Sequence, residues 1–104
     1  MVVADVSGQF TGKPRPAVII QADAFTERAT ITICPITSVE VGASRFRLAI
    51  EPSDDLRLNR ASWIEVDLIT TVRRNRVRDA SIGRLSREEL ARLSAAIAVY
   101  LGIG

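Results

Sequence analysis

Short apolar segments, two of them alternating with a period of two, are spaced along the first four-fifths of the chain and give way to a helical rhythm in its last fifth. Residues 2–6 are short and β-branched, and predict a first strand. Residues 17–21 (AVIIQ) form a nearly continuous apolar run, the pattern of a strand covered on both faces. Residues 30–34 (TITIC) alternate strictly, with Ile31 and Ile33 on one face and Thr30, Thr32 and Cys34 on the other. Pro35 is expected to end that strand. Residues 45–50 (RFRLAI) alternate again, with Phe46, Leu48 and Ile50 inward and Arg45 and Arg47 outward. Residues 62–71 hold Trp63, Ile64, Val66, Leu68 and Ile69, enough for one or two strands, and RRNRVR at 73–78 reads as a basic turn or strand end. The glycines and prolines of 7–16, and the polar stretch 52–59, read as loops.

The final segment is helical. Ser86 and Glu89 make an S-x-x-E capping box, in which the serine accepts from a first-turn N–H and the glutamate reaches back to the cap. Leu90, Leu93, Ile97, Tyr100 and Leu101 then recur on one face, and Gly102 follows as a natural stop. Five to seven strands and one helix predict a single α+β domain over residues 1–104. It is mainly antiparallel β, a small barrel-like sheet with the helix packed against it. A core this small favours further burial in a homodimer.

Composition narrows the chemistry. The 104 residues suffice for one core and are 47% apolar and 25% charged, as in an ordinary globular protein. No apolar run approaches the roughly 20 residues that span a bilayer, and the first residues do not read as a secretory signal. Cys34 is the only cysteine, which excludes an internal disulfide and fits a cytoplasmic setting; it is expected to be a small buried residue. There is no histidine. That removes the common general acid and base, the histidine-dependent triads and most transition-metal sites. Phosphate-cradling glycine loops are absent as well, so neither a metal nor another cofactor is expected. Thirteen of the fourteen basic residues are arginine, whose planar fork suits phosphate.

One stretch stands out. In GKPRPAVIIQAD, residues 12–23, Lys13 and Arg15 each precede a proline. Proline fixes its own φ and drives the residue before it to extended conformations. Arg15 is therefore a long cation on a stiff approach to a strand.

Taken with TITICPITS, VDLITTV and GRLSREELARLSAAIAVYLGI, in this order and spacing, that stretch makes the chain resemble the MazF/PemK family of type II toxins over nearly its whole length. The resemblance implies an SH3-like barrel that dimerises, an antitoxin partner, and metal-independent cleavage of single-stranded RNA. In such cleavage the 2′-hydroxyl attacks the adjacent phosphate and leaves 2′,3′-cyclic phosphate and 5′-hydroxyl ends. It implies Arg15 and Thr37 as the catalytic pair. The RNA-binding set expected around them is Lys13, Gln21, Ser38, Phe10, Arg73 and Arg74. Thr70 stands where many members carry arginine. The chemistry suits a chain without histidine, because the RNA supplies its own nucleophile and the protein supplies charge stabilisation. The resemblance gives Arg15 an acid/base part; arginine as a residue type holds its proton and is a poor base, so Arg15 reads as a transition-state stabiliser and acid, and the base is left open between it and a carboxylate such as Asp23. Two alternatives remain: a CcdB-like gyrase inhibitor, whose C-terminal Trp-Gly-Ile is matched here only by Gly102-Ile103, and a degenerate homologue that binds antitoxin or RNA without cutting.

Overall fold

A computed structural model describes residues 1–7, 13–25, 27–39 and 46–103. These form seven strands, three short 3₁₀ turns and one helix. The strands are β1 (Val2–Ser7), β2 (Pro14–Ile19), β3 (Thr30–Thr37), β4 (Arg47–Ile50), β5 (Ser62–Glu65), β6 (Thr70–Arg73) and β7 (Val77–Arg84), and the helix is α1 (Arg87–Leu101). Every pairing is antiparallel, in the order β4-β5-β3-β2-β1-β7, with β6 also on β3. One edge of β3 carries β6 along residues 30–33 and β5 along residues 36–37. The 3₁₀ turn Arg74–Arg76 joins β6 to β7, and β7 returns to pair with β1, so the sheet curls into a half-barrel.

The curled sheet is apolar on both faces. One face holds Val3, Val18, Cys34 and Ile36, packed with Ile50, Leu56, Ile64 and Val66 and closed by Leu93 of α1. The other holds Ala4, Val6, Ala17, Ile19, Ile31 and Ile33, flanked by Val72 and Val77. Alternation along β3 therefore separates two cores, with Cys34 buried rather than lining a polar face. Burial of Cys34 agrees with its reading as a small core residue.

Four local expectations change. Strand β2 begins at Pro14, inside the segment read as loop. Pro35 lies within β3 instead of ending it. It falls where that edge of β3 passes from Ile33–Thr70 pairing to Ile36–Ile64 pairing, so its missing N–H interrupts no ladder. Arg47 does not point to solvent. Its guanidinium is mostly buried, bonds Asp67 and lies 3.6 Å from Glu65, because Glu65 is its cross-strand partner on β5 and the turn after β5 brings Asp67 over β4. Arg45 lies outside the described residues. Strand β7 runs on to Arg84, well past the basic turn or strand end read at residues 73–78, although its VRDASIGR lacks alternation. Its Gly83 adopts φ +145° and lets the Asp55–Leu56 backbone approach so closely that a Cβ would sit 2.2 Å from the Asp55 carbonyl oxygen.

The helix follows its signals. Ser86 Oγ accepts from the Glu89 N–H at 3.1 Å, Glu89 Oε1 accepts from the Ser86 N–H at 2.8 Å, and Gly102 closes the end in the left-handed region. Leu93 is fully buried, and Leu90, Ala96 and Ile97 are half-buried. Tyr100 packs edge-on against Phe46 with ring centres 5.1 Å apart. Val99, Leu101 and Ile103 remain exposed, as does Leu68 nearby in the chain's second 3₁₀ turn.

Candidate active site

The proline-flanked arginine has a backbone explanation. Ile20 N–H donates to the Thr32 carbonyl across the β2–β3 seam at 3.0 Å. Alternate residues of a strand turn their N–H groups to the same edge, so residues 14, 16 and 18 face β3 as well. Residues 14 and 16 are prolines and have no N–H to give. The β2–β3 ladder accordingly runs from Ile19–Ile33 to Ala17–Pro35 and stops. Arg15 faces the other way and keeps its place opposite Val6 of β1. Pro14 and Pro16 thus sit in the strand without breaking β1–β2 pairing, and they end the ladder on the β3 side.

Continuing the register two residues past Ala17 and Pro35 sets Arg15 level with Thr37. Both share the face of Ala17 and Ile33, the side of the second apolar cluster. Arg15 is exposed and Thr37 half-buried. Thr37 Oγ1 accepts from the Val39 N–H at 3.1 Å, which turns the chain out of β3 and leaves the hydroxyl proton available to an incoming acceptor. Directly across from Thr37 on β5 is the half-buried Trp63.

Arg15 and Pro16 form a ridge between two recesses. One, of about 330 Å³, is walled by Val6, Ala17, Ile33, Pro35 and Val72, with Ser7, Thr70 and Arg76 as its other polar members. The other, of about 290 Å³, is lined by Ile36, Ser38, Leu58, Asn59, Arg60 and Ser62. A cation on a ridge, a hydroxyl level with it and two nucleotide-scale recesses beside it suit a charged, extended ligand that crosses the ridge.

The other anticipated residues divide by position. Ser38 lines the polar recess beside Arg15. Lys13 is exposed just before β2. Phe10 lies outside the described residues. Gln21, Arg73 and Arg74 sit at the opposite end of the sheet. Arg73 pairs with Thr30, seven strand steps or about 23 Å from Thr37. Gln21 spans the β2–β3 connection: its Nε2 donates to Phe25 O at 2.9 Å and its Oε1 accepts from Thr32 N at 3.0 Å. Arg74 lies 3.7 Å from Glu27 and helps line a larger groove of about 760 Å³ at that end, with Arg28, Asn75 and Arg78. Asp23 is there too, bonded to Arg84 at 3.0 Å. Among the described residues, no three metal-binding side chains converge.

Asn59, Arg60 and Arg76 line the recesses and were not singled out from the sequence. Arg76 belongs to RRNRVR, but a run of basic residues carries no sign of which one turns inward through a 3₁₀ turn. Asn59 and Arg60 lie in or just after a stretch read only as loop.

With fold and ridge in view, comparison with known proteins identifies the class. Residues 1–101 match the model of the PemK-like, MazF-like toxins of type II toxin-antitoxin systems, and the chain belongs to that family. It is 38% identical over 100 residues to a probable endoribonuclease MazF of Mycolicibacterium smegmatis, covering 96% of this chain and 91% of that one. The fold is that of the Mycobacterium tuberculosis toxin MazF-mt6, with TM-score 0.84, 19% identity, and 100% and 99% of the two chains covered. A MazE-MazF structure from Deinococcus radiodurans gives TM-score 0.79 at 19% identity, covering 99% of this chain and 93% of that one. No helix among the described residues is long and apolar enough to cross a membrane.

Proposed function

We propose that this toxin-family chain is an endoribonuclease that cleaves single-stranded RNA without a metal. The observation that carries the reading is the level arrangement of Arg15 and Thr37 on one face, at the point where Pro16 keeps the β2–β3 seam open. In the reaction the ribose 2′-oxygen attacks the adjacent phosphorus and loses its proton. The bond from phosphorus to the 5′-oxygen breaks, and that oxygen gains a proton. The products are a 2′,3′-cyclic phosphate and a 5′-hydroxyl. The Arg15 fork stabilises the charge that builds on the non-bridging oxygens. The Thr37 hydroxyl, its lone pair already engaged by Val39 N–H, donates to the same phosphate. Asp23 serves poorly as a base for this step, because it is bonded to Arg84 at the other end of the sheet. Lys13 and Ser38 flank the ridge as phosphate contacts, while Gln21, Arg73 and Arg74 extend an RNA track to the far groove.

The same reading assigns two protein partners. Val99, Leu101 and Ile103 at the end of α1, together with Leu68, form an exposed apolar surface suited to a second copy of the chain. The arginine-rich face suits an acidic antitoxin that competes with RNA, in keeping with the endoribonuclease–antitoxin complex known for a mycobacterial protein of this fold.

The test is incubation of the purified protein with a long unstructured RNA in excess EDTA, beside Arg15→Ala and Thr37→Ala. Discrete cuts with cyclic-phosphate ends, lost in both variants, are expected. A folded protein that leaves the RNA intact overturns the reading.

A further inference from the structure

We propose that the apolar recess beside Arg15 holds one unpaired guanine next to the cleaved phosphate, and that Arg76 reads it. The inference rests on the ribonuclease reading and adds a base-specificity site to it. Arg76 ends the 3₁₀ turn between β6 and β7 and lines this recess. Its Nη1 is buried and has no hydrogen-bond partner among the described residues. A cationic donor that meets neither solvent nor an acceptor is unfavourable, and a turn of the half-buried Arg76 side chain into the recess presents Nη1 to an acceptor that a ligand brings.

The walls identify the kind of ligand. Val6, Ile33, Pro35 and Val72 offer apolar surface to a flat ring, and about 330 Å³ lies at the small end of ligand pockets, sized for one base rather than a folded segment. Unpaired bases of a single strand splay out into such recesses. Arg15 belongs to this recess and to the polar one across the ridge. A phosphate held over Arg15 therefore has one neighbouring nucleotide on each side, and the apolar side takes the base. Among base edges, guanine O6 and N7 present the paired acceptors that match an arginine fork.

Two linked measurements test this. First, cut sites in a randomised single-stranded RNA are mapped for the wild type, Arg76→Met and Arg76→Lys, each checked for an unchanged melting transition. The wild type is expected to require guanine at one position beside the cut. Arg76→Met loses that preference by about 10- to 100-fold at that position alone, and Arg76→Lys is intermediate. Second, binding of non-cleavable 2′-deoxy oligonucleotides is compared with guanine or 7-deazaguanine at that position, which removes N7. In the pool lacking a mapped cut, each position is substituted in turn. The 7-deaza change weakens the wild type about tenfold and leaves Arg76→Met unaffected. An unchanged base preference, a loss spread evenly over all positions, or indifference to 7-deazaguanine overturns the inference. So does displacement of the oligonucleotide from the recess by a glutamate-rich peptide without any base discrimination, which assigns the recess to a protein partner. If the wild type cuts nothing, the ribonuclease reading falls, and the binding comparison still decides the recess.

Discussion

Arg15 and Thr37 stand level on β2 and β3, on either side of a seam whose ladder ends at Ala17 and Pro35, two residues short of them on each strand. A guanidinium and a hydroxyl level on one face of two neighbouring strands can grip the same phosphate, and a seam left unpaired beneath them gives that phosphate room. The proline at position 16 leaves the seam unpaired through the backbone, with no side-chain device.

The two groups should fail in different ways. Thr37→Ser keeps both the hydroxyl and the acceptor for Val39 N–H, and cleavage is expected within a few-fold of wild type. Thr37→Val removes the hydroxyl at nearly constant volume. The single-turnover rate should fall by about 10²-fold, in the range found for loss of one transition-state donor. The accompanying loss of stability should be about 1 kcal/mol or less, since only one exposed bond is lost. Rate and melting curve measured on the same samples separate the effects. Equal rates for Thr37→Val and wild type would remove Thr37 from the chemistry.

Trp63 offers a direct view of binding. It is the only tryptophan in the chain, lies opposite Thr37 and is half-buried. Titration with a non-cleavable oligonucleotide should change its emission and saturate in step with an independent binding signal. An emission spectrum that stays constant through saturation would put the nucleic acid elsewhere on the sheet.

Much of this fold was legible because its signals are local. β-branched residues marked β1, alternation marked the first part of β3, and the Ser86–Glu89 pair marked the start of α1 to the residue. Most of strand β7 was hidden because VRDASIGR takes its extended form from pairing with β1, a neighbour more than seventy residues away in the chain. Pro35 read as a stop because its effect depends on which edge its nitrogen faces, a fact of the sheet and not of the strand. At the site, Arg15 drew attention through its prolines, while Thr37 was reached only through the family resemblance. A strand-end threonine by itself is commonplace. Gln21, Arg73 and Arg74 border the same strands at the end remote from Thr37, a separation that only the register reveals.

Cys34 gives a prediction in alkaline solution. Burial pushes its thiol up from 9.0 to about 11. The folded state therefore holds the thiol proton more tightly than the unfolded chain does. Its contribution to stability is complete below about pH 9 and is lost as the pH rises towards 11. The midpoint of urea unfolding should decline over that window, and Cys34→Ala or Cys34→Val should flatten the decline whatever it does to the absolute stability. A slope unchanged in both variants would assign the alkaline loss to other groups.

Of the two glycines among the described residues, Gly83 is the one that cannot accept a side chain without a clash. Its φ of +145° disfavours any L side chain, and a Cβ would meet Asp55 O at 2.2 Å and Leu56 Cα at 2.7 Å, both backbone. Strain and overpacking together predict that Gly83→Ala loses about 3 kcal/mol or more. The bridge from Gly83 to Leu56 anchors the segment that leads to Asn59 and Arg60 at the polar recess, so cleavage should fall at temperatures where the variant is still largely folded. A denaturation midpoint close to wild type would mean that residues 55–56 move aside easily.

Pro16→Ala isolates the seam itself. The substitution returns an N–H that faces β3, in register to donate to the Ile36 carbonyl and carry the ladder one bond further. That bond is worth about 0.5–1.5 kcal/mol, and the freer unfolded chain offsets about 0.4–1 kcal/mol of it. Net stability should thus change by less than about 1 kcal/mol. Activity should not be spared in the same way. Closing the seam draws β2 towards β3 beneath the ridge, and without the proline Arg15 loses its restriction to extended backbone. A several-fold drop in cleavage rate with an unchanged melting temperature is expected, together with slowed exchange of the new amide hydrogen. A protected amide with full activity would show that the open seam is incidental to the chemistry. An unprotected amide with reduced activity would trace the effect to the stiffness of Arg15 alone.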